Sequence, residues 1–191
     1  MDKKKRAAVF LDRDGVINDV VDRGDDFSVK GKKVRITAPY KYDEFHIKED
    51  IREALEKIKT FGFLLILVSN QPDIKYGLMT EEDNKEIMEE IKKLPFDDIF
   101  VCYHGRDDNC SCKKPKPGML LAAQEKWDID LSSSCMIGDT ANDMMAGWAA
   151  GCKTILIDCF YNRDVQSDFR VQNLLEAACL IRKFLAEKGG I

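Results

Sequence analysis

The sequence predicts an α/β protein, a doubly wound parallel sheet of the Rossmann-like kind that occupies a single domain over residues 1–191. Five short runs are almost continuously apolar, which indicates strands buried on both faces, as in parallel sheets. The runs alternate with stretches whose apolar residues recur at the spacing of amphipathic helices. This alternation implies right-handed βαβ crossovers and therefore helices on both faces of the sheet.

The individual elements follow from apolar spacing and from residues that start or stop helices. One predicted helix ends at Gly62 and another at Gly151, because glycine is favoured just past a helix C-terminus. Thr80, with Asp83 three residues later, starts a further helix as a variant of the capping box. The predicted strands cover 7–12, 63–70, 98–104, 135–139 and 153–158, and the predicted helices cover 49–62, 80–94, 116–127, 140–151 and roughly 170–187.

Residues 19–47 interrupt this alternation. The stretch is polar, mixed in charge and without clear periodicity. We expect a surface excursion on the substrate side of the first strand, with a small β-flap around "KVRITAP". Loops of this length in compact domains are usually functional lids or disordered segments.

The composition is that of an ordinary globular protein and argues against several function classes. The net charge of −4 argues against a dedicated nucleic-acid binder, and no apolar run is long enough for a transmembrane helix. Seven cysteines are an odd number, which argues against a complete disulfide framework, and no export signal is recognisable. We therefore expect a cytoplasmic monomer with reduced thiols that binds neither nucleic acid nor a membrane.

Carboxylates and small polar residues follow three of the predicted strands. In a doubly wound sheet, ligands bind beyond the carboxyl ends of the strands, so these residues should share one crevice. Several carboxylates in one crevice would repel one another unless a hard cation such as Mg²⁺ joined them. Alone, each motif could be a helix cap or a turn, but all occur in order at predicted strand ends. The residues are Asp12, Asp14, Ser69, Asn70, Asp139 and Asp143.

A second cluster has the ligand types of a zinc site. Cys102, His104, Cys110 and Cys112 form the pattern C-x-H-x5-C-x-C, within a loop spanning residues 101–114. Three thiolates and one imidazole match a closed, tetrahedral, structural Zn²⁺ site with no position left for substrate. The alternatives are reduced cysteines beside a surface histidine, or a redox-active C-x-C. We expect the metal to hold the loop before Lys114.

The strand-end motifs resemble those of the haloacid dehalogenase superfamily of phosphohydrolases. The shared pattern is D-x-D-G-x-I/V, then S/T-N, then K-P, then G-D-x-x-x-D. The resemblance implies that Asp12 is the nucleophile and forms an aspartyl-phosphate. It implies that Asp14 protonates the leaving alcohol and then deprotonates the attacking water. Ser69 would hydrogen-bond the transferring phosphoryl group, and Lys114 would offset its charge.

The same resemblance implies a catalytic Mg²⁺ ion. Its ligands would be the Asp12 carboxylate, the Asp14 main-chain carbonyl and the Asp139 carboxylate. Asp143 would orient a metal-bound water or Lys114 without binding the metal itself.

The zinc loop, together with "FLDRDGVIN" and "SNQ", resembles one subgroup of that superfamily. The subgroup contains heptose 1,7-bisphosphate phosphatases and histidinol-phosphate phosphatases, and its members lack large cap domains. The resemblance implies a Mg²⁺-dependent phosphatase for a small sugar phosphate or bisphosphate, with the 7-phosphate of heptose 1,7-bisphosphate as the best match. Histidinol phosphate and other sugar phosphates of surface-polysaccharide synthesis are the enzyme alternatives, and an inactive zinc-stapled binding module is the non-enzyme alternative.

Two departures from the subgroup's pattern concern specificity. Lys113 stands where the subgroup usually has arginine, and lysine cannot form the same planar bidentate clamp. The subgroup's "TNQSGIARG" loop is "SNQPDIKYG" here, which changes groups near the leaving-group pocket. The residues expected to contact substrate are Asn70, Gln71, Lys113, Asp22 and Arg23.

Overall fold

A six-stranded, all-parallel sheet forms the centre of the protein, as predicted. The computed structural model describes residues 5–187, so residues 1–4 and 188–191 of the predicted domain lie outside it. The described strands are β1 (Ala8–Leu11), β2 (Val21–Asp22), β3 (Ser28–Val29), β4 (Lys32–Lys33), β5 (Ile36–Thr37), β6 (Leu64–Asn70), β7 (Asp98–Cys102), β8 (Cys135–Gly138), β9 (Lys153–Ile157) and β10 (Phe169–Val171). The sheet has the order β10-β9-β8-β1-β6-β7.

The chain crosses from one half of this sheet to the other between β7 and β8. Since β1 lies between β6 and β8, the loops after these three strands meet at one edge. The edge strand β10 is absent from the sequence prediction. It is three residues long with Arg170 at its centre, so it forms no apolar run.

Helices cover both faces of the sheet. They are α1 (Ile51–Thr60), α2 (Glu81–Lys92), α3 (Gly118–Trp127), α4 (Ala141–Ala150) and α5 (Leu174–Glu187). Successive residues of β1 point to opposite faces: Val9 and Leu11 join the core of α1, α2 and α5, while Ala8 and Phe10 join that of α3 and α4. All four are fully buried, which explains the continuous apolar run. Over the described residues, no helix combines the length and apolarity needed to cross a membrane.

The 19–47 excursion folds into two short antiparallel ribbons. Strand β2 pairs with β5 to form one ribbon. Strands β3 and β4, which lie between β2 and β5 in the sequence, pair to form the other. Arg23 fastens the ribbons to the following segment by a two-pronged ion pair with Glu44 at 2.6 Å for each contact, and its guanidinium lies 4.5 Å from the centre of the Tyr40 ring. We call residues 19–47 the flap. It stands over the carboxyl edge of the sheet rather than forming a cap domain.

Candidate active site

Three of the predicted carboxylates meet at the carboxyl edge of the sheet. Asp12 follows β1, Asp139 follows β8, and Asp143 lies in the first turn of α4. Each has a carboxylate oxygen within 4.8 Å of those of the other two. Gly15 permits this approach, because a Cβ there would lie 2.1 Å from Asp139 Oδ2 and the residue has φ of +83°. The glycine of the D-x-D-G motif is therefore required by the site itself.

Lys114 supplies the positive charge of this cluster. Its Nζ lies 2.8 Å from Asp12 Oδ1 and 2.5 Å from Asp143 Oδ1, and the side chain is only 2% exposed. Burial by itself acts to lower the Lys114 pKa, but the two carboxylates outweigh it and the pKa is raised. Lys114 therefore stays protonated, and its contact with Asp143 agrees with one of the two roles expected for that carboxylate.

One lysine does not balance three buried carboxylates. Burial, and then the charge of Asp143, raises the pKa of Asp139 to about 7, and burial raises that of Asp12 well above its usual range. Asp139 Oδ2 accepts a hydrogen bond from the Tyr161 hydroxyl, whereas its buried Oδ1 has no hydrogen-bond partner among the described residues. A buried, unpaired carboxylate oxygen beside other carboxylates fits a hard divalent cation. The residues present therefore fit Mg²⁺.

The Asp14 side chain is held apart from the carboxylate cluster. Its Oδ1 accepts hydrogen bonds from the Arg13 guanidinium at 3.1 and 2.9 Å and from Asn18 at 3.0 Å. Its Oδ2 accepts one from Gln71 Nε2 at 2.6 Å, and the same amide reaches Ser69 Oγ at 2.9 Å. The sequence predicted that Gln71 contacts substrate, but it is buried and ties Asp14 to Ser69. Sequence reasoning missed Arg13, because nothing in the pattern distinguishes a buried arginine from a solvated one.

Asn70 positions the loop that carries Lys114. Its Nδ2 donates to the Lys114 carbonyl and its Oδ1 accepts from the Lys114 amide, both at 3.0 Å. Two hydrogen bonds from one side chain to the N–H and the C=O of the same residue fix the backbone of Lys114 in both position and orientation. Asn70 also lines the cleft described below, and its contact with substrate stays a prediction.

The predicted zinc ligands lie together beside this loop. The Sγ atoms of Cys102 and Cys112 are 3.2 Å apart, those of Cys102 and Cys110 are 3.7 Å apart, and His104 Nδ1 is 3.2 Å from Cys112 Sγ. Zn–S bonds of 2.3 Å in a tetrahedron place sulfurs about 3.8 Å apart, so the spacing suits Zn²⁺. Burial and the neighbouring thiols raise the pKa of Cys112 to about 12, and a cation is what would reverse that shift. All seven cysteines are free of disulfides.

The loop around these ligands is tied to both sides of the site. Lys113 Nζ donates to the His104 carbonyl at 3.2 Å, which holds the residue before Lys114. The Arg106 amide donates to the Tyr76 hydroxyl at 2.7 Å, and Lys75 forms an ion pair with Asp108. These contacts therefore hold two segments at once, the backbone next to Lys114 and the loop after β6.

The strand-end residues border a cleft of about 350 Å³ between the sheet edge and the flap. Asp12, Asp14, Asp139 and Asp143 line its floor, and apolar flap residues, including Val29, Val34 and Ile36, line its roof. A larger groove of about 830 Å³ runs along α2, but its charged lining residues are glutamates and lysines of the surface and it contains none of the strand-end carboxylates. The smaller cleft is therefore the candidate active site.

The two flap residues expected to contact substrate lie outside the lining of this cleft. Asp22 forms an ion pair with Arg35 at 2.7 Å on the surface, and Arg23 is committed to Glu44 and Thr37. Both side chains are paired within the flap and do not line the cleft. Lys113 does line the cleft, as do three residues that sequence reasoning did not single out: Tyr40, Asp73 and Tyr161. The change from "SGIARG" to "PDIKYG" was the only sequence signal pointing to Asp73.

The model of one protein family matches most of this chain. The family is described as haloacid dehalogenase-like hydrolase, and the match covers residues 22–157. The chain belongs to this family. The family resemblance drawn from the motifs is thus confirmed, although the match itself does not assign a role to any residue.

Similar haloacid dehalogenase-like proteins carry one recurring name. D-glycero-beta-D-manno-heptose-1,7-bisphosphate 7-phosphatase of Helicobacter pylori strain J99 is 38% identical over 157 residues, which are 78% of this chain and 82% of that protein. The enzyme of the same name from Vibrio cholerae serotype O1 is 37% identical over 80% of this chain and 81% of its own length. That from Escherichia coli K12 is 33% identical over 79% and 78%.

A solved structure has the same fold over nearly the whole chain. The crystal structure of D,D-heptose 1,7-bisphosphate phosphatase from B. bronchiseptica, complexed with magnesium and phosphate, superposes with a TM-score of 0.76 at 25% identity. The superposition covers 95% of this chain and 99% of that one. The prediction of a haloacid dehalogenase fold without a large cap agrees with this coverage.

Proposed function

We propose that this protein is a Mg²⁺-dependent phosphatase that removes the 7-phosphate from D-glycero-β-D-manno-heptose 1,7-bisphosphate. The observation that carries the proposal is the buried set of Asp12, Asp139 and Asp143 around Lys114 at the floor of a cleft. The names of its relatives support the substrate. The surplus of negative charge in this set supports a divalent cation, and a phosphate ester is the substrate class that such a cation and Lys114 would bind together.

Asp12 and Asp139 would hold the Mg²⁺ ion, together with the main-chain carbonyl of Asp14 that the family resemblance implies. When bound, the ion supplies positive charge that offsets the carboxylates and the phosphoryl oxygens. Lys114 would offset the remaining charge, and Asp143 would keep its ammonium group in place. The Ser69 hydroxyl accepts a hydrogen bond from Gln71, but the side chain is only 1% exposed and lies outside the cleft lining, so its hydrogen would have to reach a phosphoryl oxygen from beneath the cleft floor.

Asp12 would attack the phosphorus atom. Its Oδ1 is held by Lys114 and by the Arg13 amide at 2.7 Å, whereas Oδ2 has no hydrogen-bond partner among residues 5–187. As the bond from phosphorus to the sugar oxygen breaks, Asp14 would act as the general acid and give a proton to that oxygen, leaving an aspartyl-phosphate on Asp12. Asp14 would then take a proton from the water that hydrolyses the aspartyl-phosphate, which returns both residues to their starting forms.

The zinc cluster would affect the reaction only by holding nearby loops in place, without contacting the substrate. A tetrahedral Zn²⁺ ion with four protein ligands leaves no site for substrate, so its role would be to hold Lys113, Lys114 and the loop after β6. We also propose that the protein works as a monomer in the cytoplasm, where a reducing environment suits seven unpaired cysteines.

The test is phosphate release from a panel of heptose 1,7-bisphosphate, other sugar phosphates and histidinol phosphate, with and without added Mg²⁺. The expected result is Mg²⁺-dependent release with the highest kcat/KM for the heptose bisphosphate. Asp12→Asn should abolish turnover without changing the zinc content, while Asp43→Asn, the same exchange at an exposed position, should leave turnover intact. A preference for histidinol phosphate would overturn the substrate, and no turnover of any ester would favour the binding module.

A further inference from the structure

The cleft contains one buried carboxylate that the chemistry proposed above does not use. Asp73 is only 9% exposed and lines the cleft, yet no donor among the described residues hydrogen-bonds its carboxylate. Its main-chain carbonyl accepts hydrogen bonds from Leu78 at 2.9 Å and Met79 at 3.3 Å. The backbone of Asp73 is therefore held within its own loop while its side chain is left to the cleft.

The charged groups that face Asp73 come from three other segments. They are Asp14 and Arg13 on the turn after β1, Lys113 beside the zinc cluster, and Arg23 on the flap. Arg13 is paired with Asp14 and Arg23 with Glu44, so neither guanidinium is committed to Asp73. Burial raises the Asp73 pKa to about 6, the Asp14 charge adds to this, and the nearby cations only partly oppose it.

The loop carrying Asp73 is braced by neighbouring segments, partly through two residues that line the cleft themselves, Tyr76 and Arg106. Lys75 forms an ion pair with Asp108, and the Tyr76 hydroxyl accepts a hydrogen bond from the Arg106 amide. Lys30 of the flap lies 5.8 Å from the centre of the Tyr76 ring. Contacts on both sides hold the loop before any ligand arrives, and a group that is held in advance loses little freedom on binding.

This loop is also where the sequence departs from its subgroup. The segment "SNQPDIKYG" places Asp73 where the subgroup pattern "TNQSGIARG" has glycine. A carboxylate at this position is thus a feature of this chain's own cleft.

We propose that Asp73 is a specificity-determining residue whose carboxylate accepts hydrogen bonds from hydroxyl groups of the leaving alcohol. This inference rests on the proposed phosphatase function and adds the residue that would select a polyol as the leaving alcohol. A buried carboxylate without donors is a strong acceptor, and hydroxyl groups of the substrate are the donors it lacks. The cations of Lys113 and Arg23 that already face Asp73 disfavour an ammonium group there and leave a neutral hydroxyl as the fitting partner.

The test compares matched phosphate esters on the wild-type enzyme and on Asp73→Asn, with saturating Mg²⁺. Glycerol 3-phosphate carries a diol next to the ester, n-propyl phosphate has the same chain without hydroxyls, and 3-aminopropyl phosphate carries an ammonium group instead. Phenyl phosphate has neither and reports on the carboxylates, Lys114 and Mg²⁺ alone. Asp43→Asn is the control variant.

The wild-type kcat/KM should favour glycerol 3-phosphate over n-propyl phosphate, and Asp73→Asn should reduce that ratio by on the order of 10-fold or more, through KM more than kcat. Turnover of phenyl phosphate should not change with this substitution. A ratio that is the same in wild type and Asp73→Asn would overturn the proposal. So would a wild-type preference for 3-aminopropyl phosphate, which would make Asp73 a cation site. If the wild-type enzyme hydrolyses none of the four esters, heptose 1,7-bisphosphate separates the two proposals: no phosphate release from it refutes the phosphatase function, and release with the same KM in wild type and Asp73→Asn overturns the role of Asp73.

Discussion

Replacing Asp73 by asparagine should make the free protein more stable at neutral pH. The side chain is buried, no residue in the described part of the chain hydrogen-bonds its carboxylate, and its pKa is about 6 in the fold against 3.8 for an ordinary aspartate. Folding therefore favours the protonated form and disfavours the ionised one. The difference between the two pKa values corresponds to up to about 3 kcal/mol of destabilisation once the group is ionised in both folded and unfolded chains.

The sign of this effect gives it a specific pH dependence. Below pH 3.8 the group is protonated in both states and has no effect. Between pH 3.8 and about 6 the unfolded chain loses the proton first, so the destabilisation grows as the pH rises. The gain in unfolding free energy from Asp73→Asn should be about 1.5 kcal/mol at pH 5 and about 3 kcal/mol at pH 8.

The assay is urea unfolding of wild type, Asp73→Asn and Asp43→Asn at pH 5, 6, 7 and 8, at fixed ionic strength and without added Mg²⁺. Asp43 is exposed, so its exchange should change the unfolding free energy little and without the same pH trend. The reasoning fails if Asp73→Asn is destabilising at pH 8, or if its effect does not change between pH 5 and pH 8. Either result would mean that the carboxylate has a partner in the fold.

Three further substitutions test how the site is built. Lys114→Met leaves the buried carboxylates unpaired, so we expect the free energy of unfolding, measured in urea, to fall by about 3–5 kcal/mol. Added Mg²⁺ should restore part of this loss, and an unchanged unfolding midpoint would contradict the ion pairing. Cys110→Ser should lower the zinc content and kcat together, whereas Cys179→Ser, at an exposed thiol, should change neither; normal kcat without zinc would show that the loop does not position Lys114. Gly15→Ala should raise the Mg²⁺ concentration needed for half-maximal activity much more than Gly62→Ala does. Gly62 has a similar φ of +84°, but no atom lies within 4 Å of a Cβ added there. Equal effects would mean that backbone strain alone is responsible.

Local patterns in the sequence predicted most of the architecture. The apolar runs of β1, β6 and β8 and the periodicity of the helices predicted a parallel sheet, because burial on both faces requires continuous apolar residues. The Cys/His cluster was predictable because its four side chains lie within eleven residues of one another in the sequence, so a single short loop brings them together. The edge strand β10 was missed because its pairing with β9 depends on backbone hydrogen bonds and not on an apolar run.

Only the tertiary structure decided which polar side chains face the cleft. Arg23 and Gln71 were both plausible substrate contacts in the sequence. In the structure, Arg23 forms an ion pair with Glu44, and Gln71 donates hydrogen bonds to Asp14 and Ser69. The sequence marked only the loop around Asp73 as a departure, whereas the structure shows that Asp73 itself is a buried carboxylate lining the cleft. The physical reason is that a residue's type and local spacing determine what it can bind, whereas its partner is whichever group the packing of distant segments brings within hydrogen-bond distance.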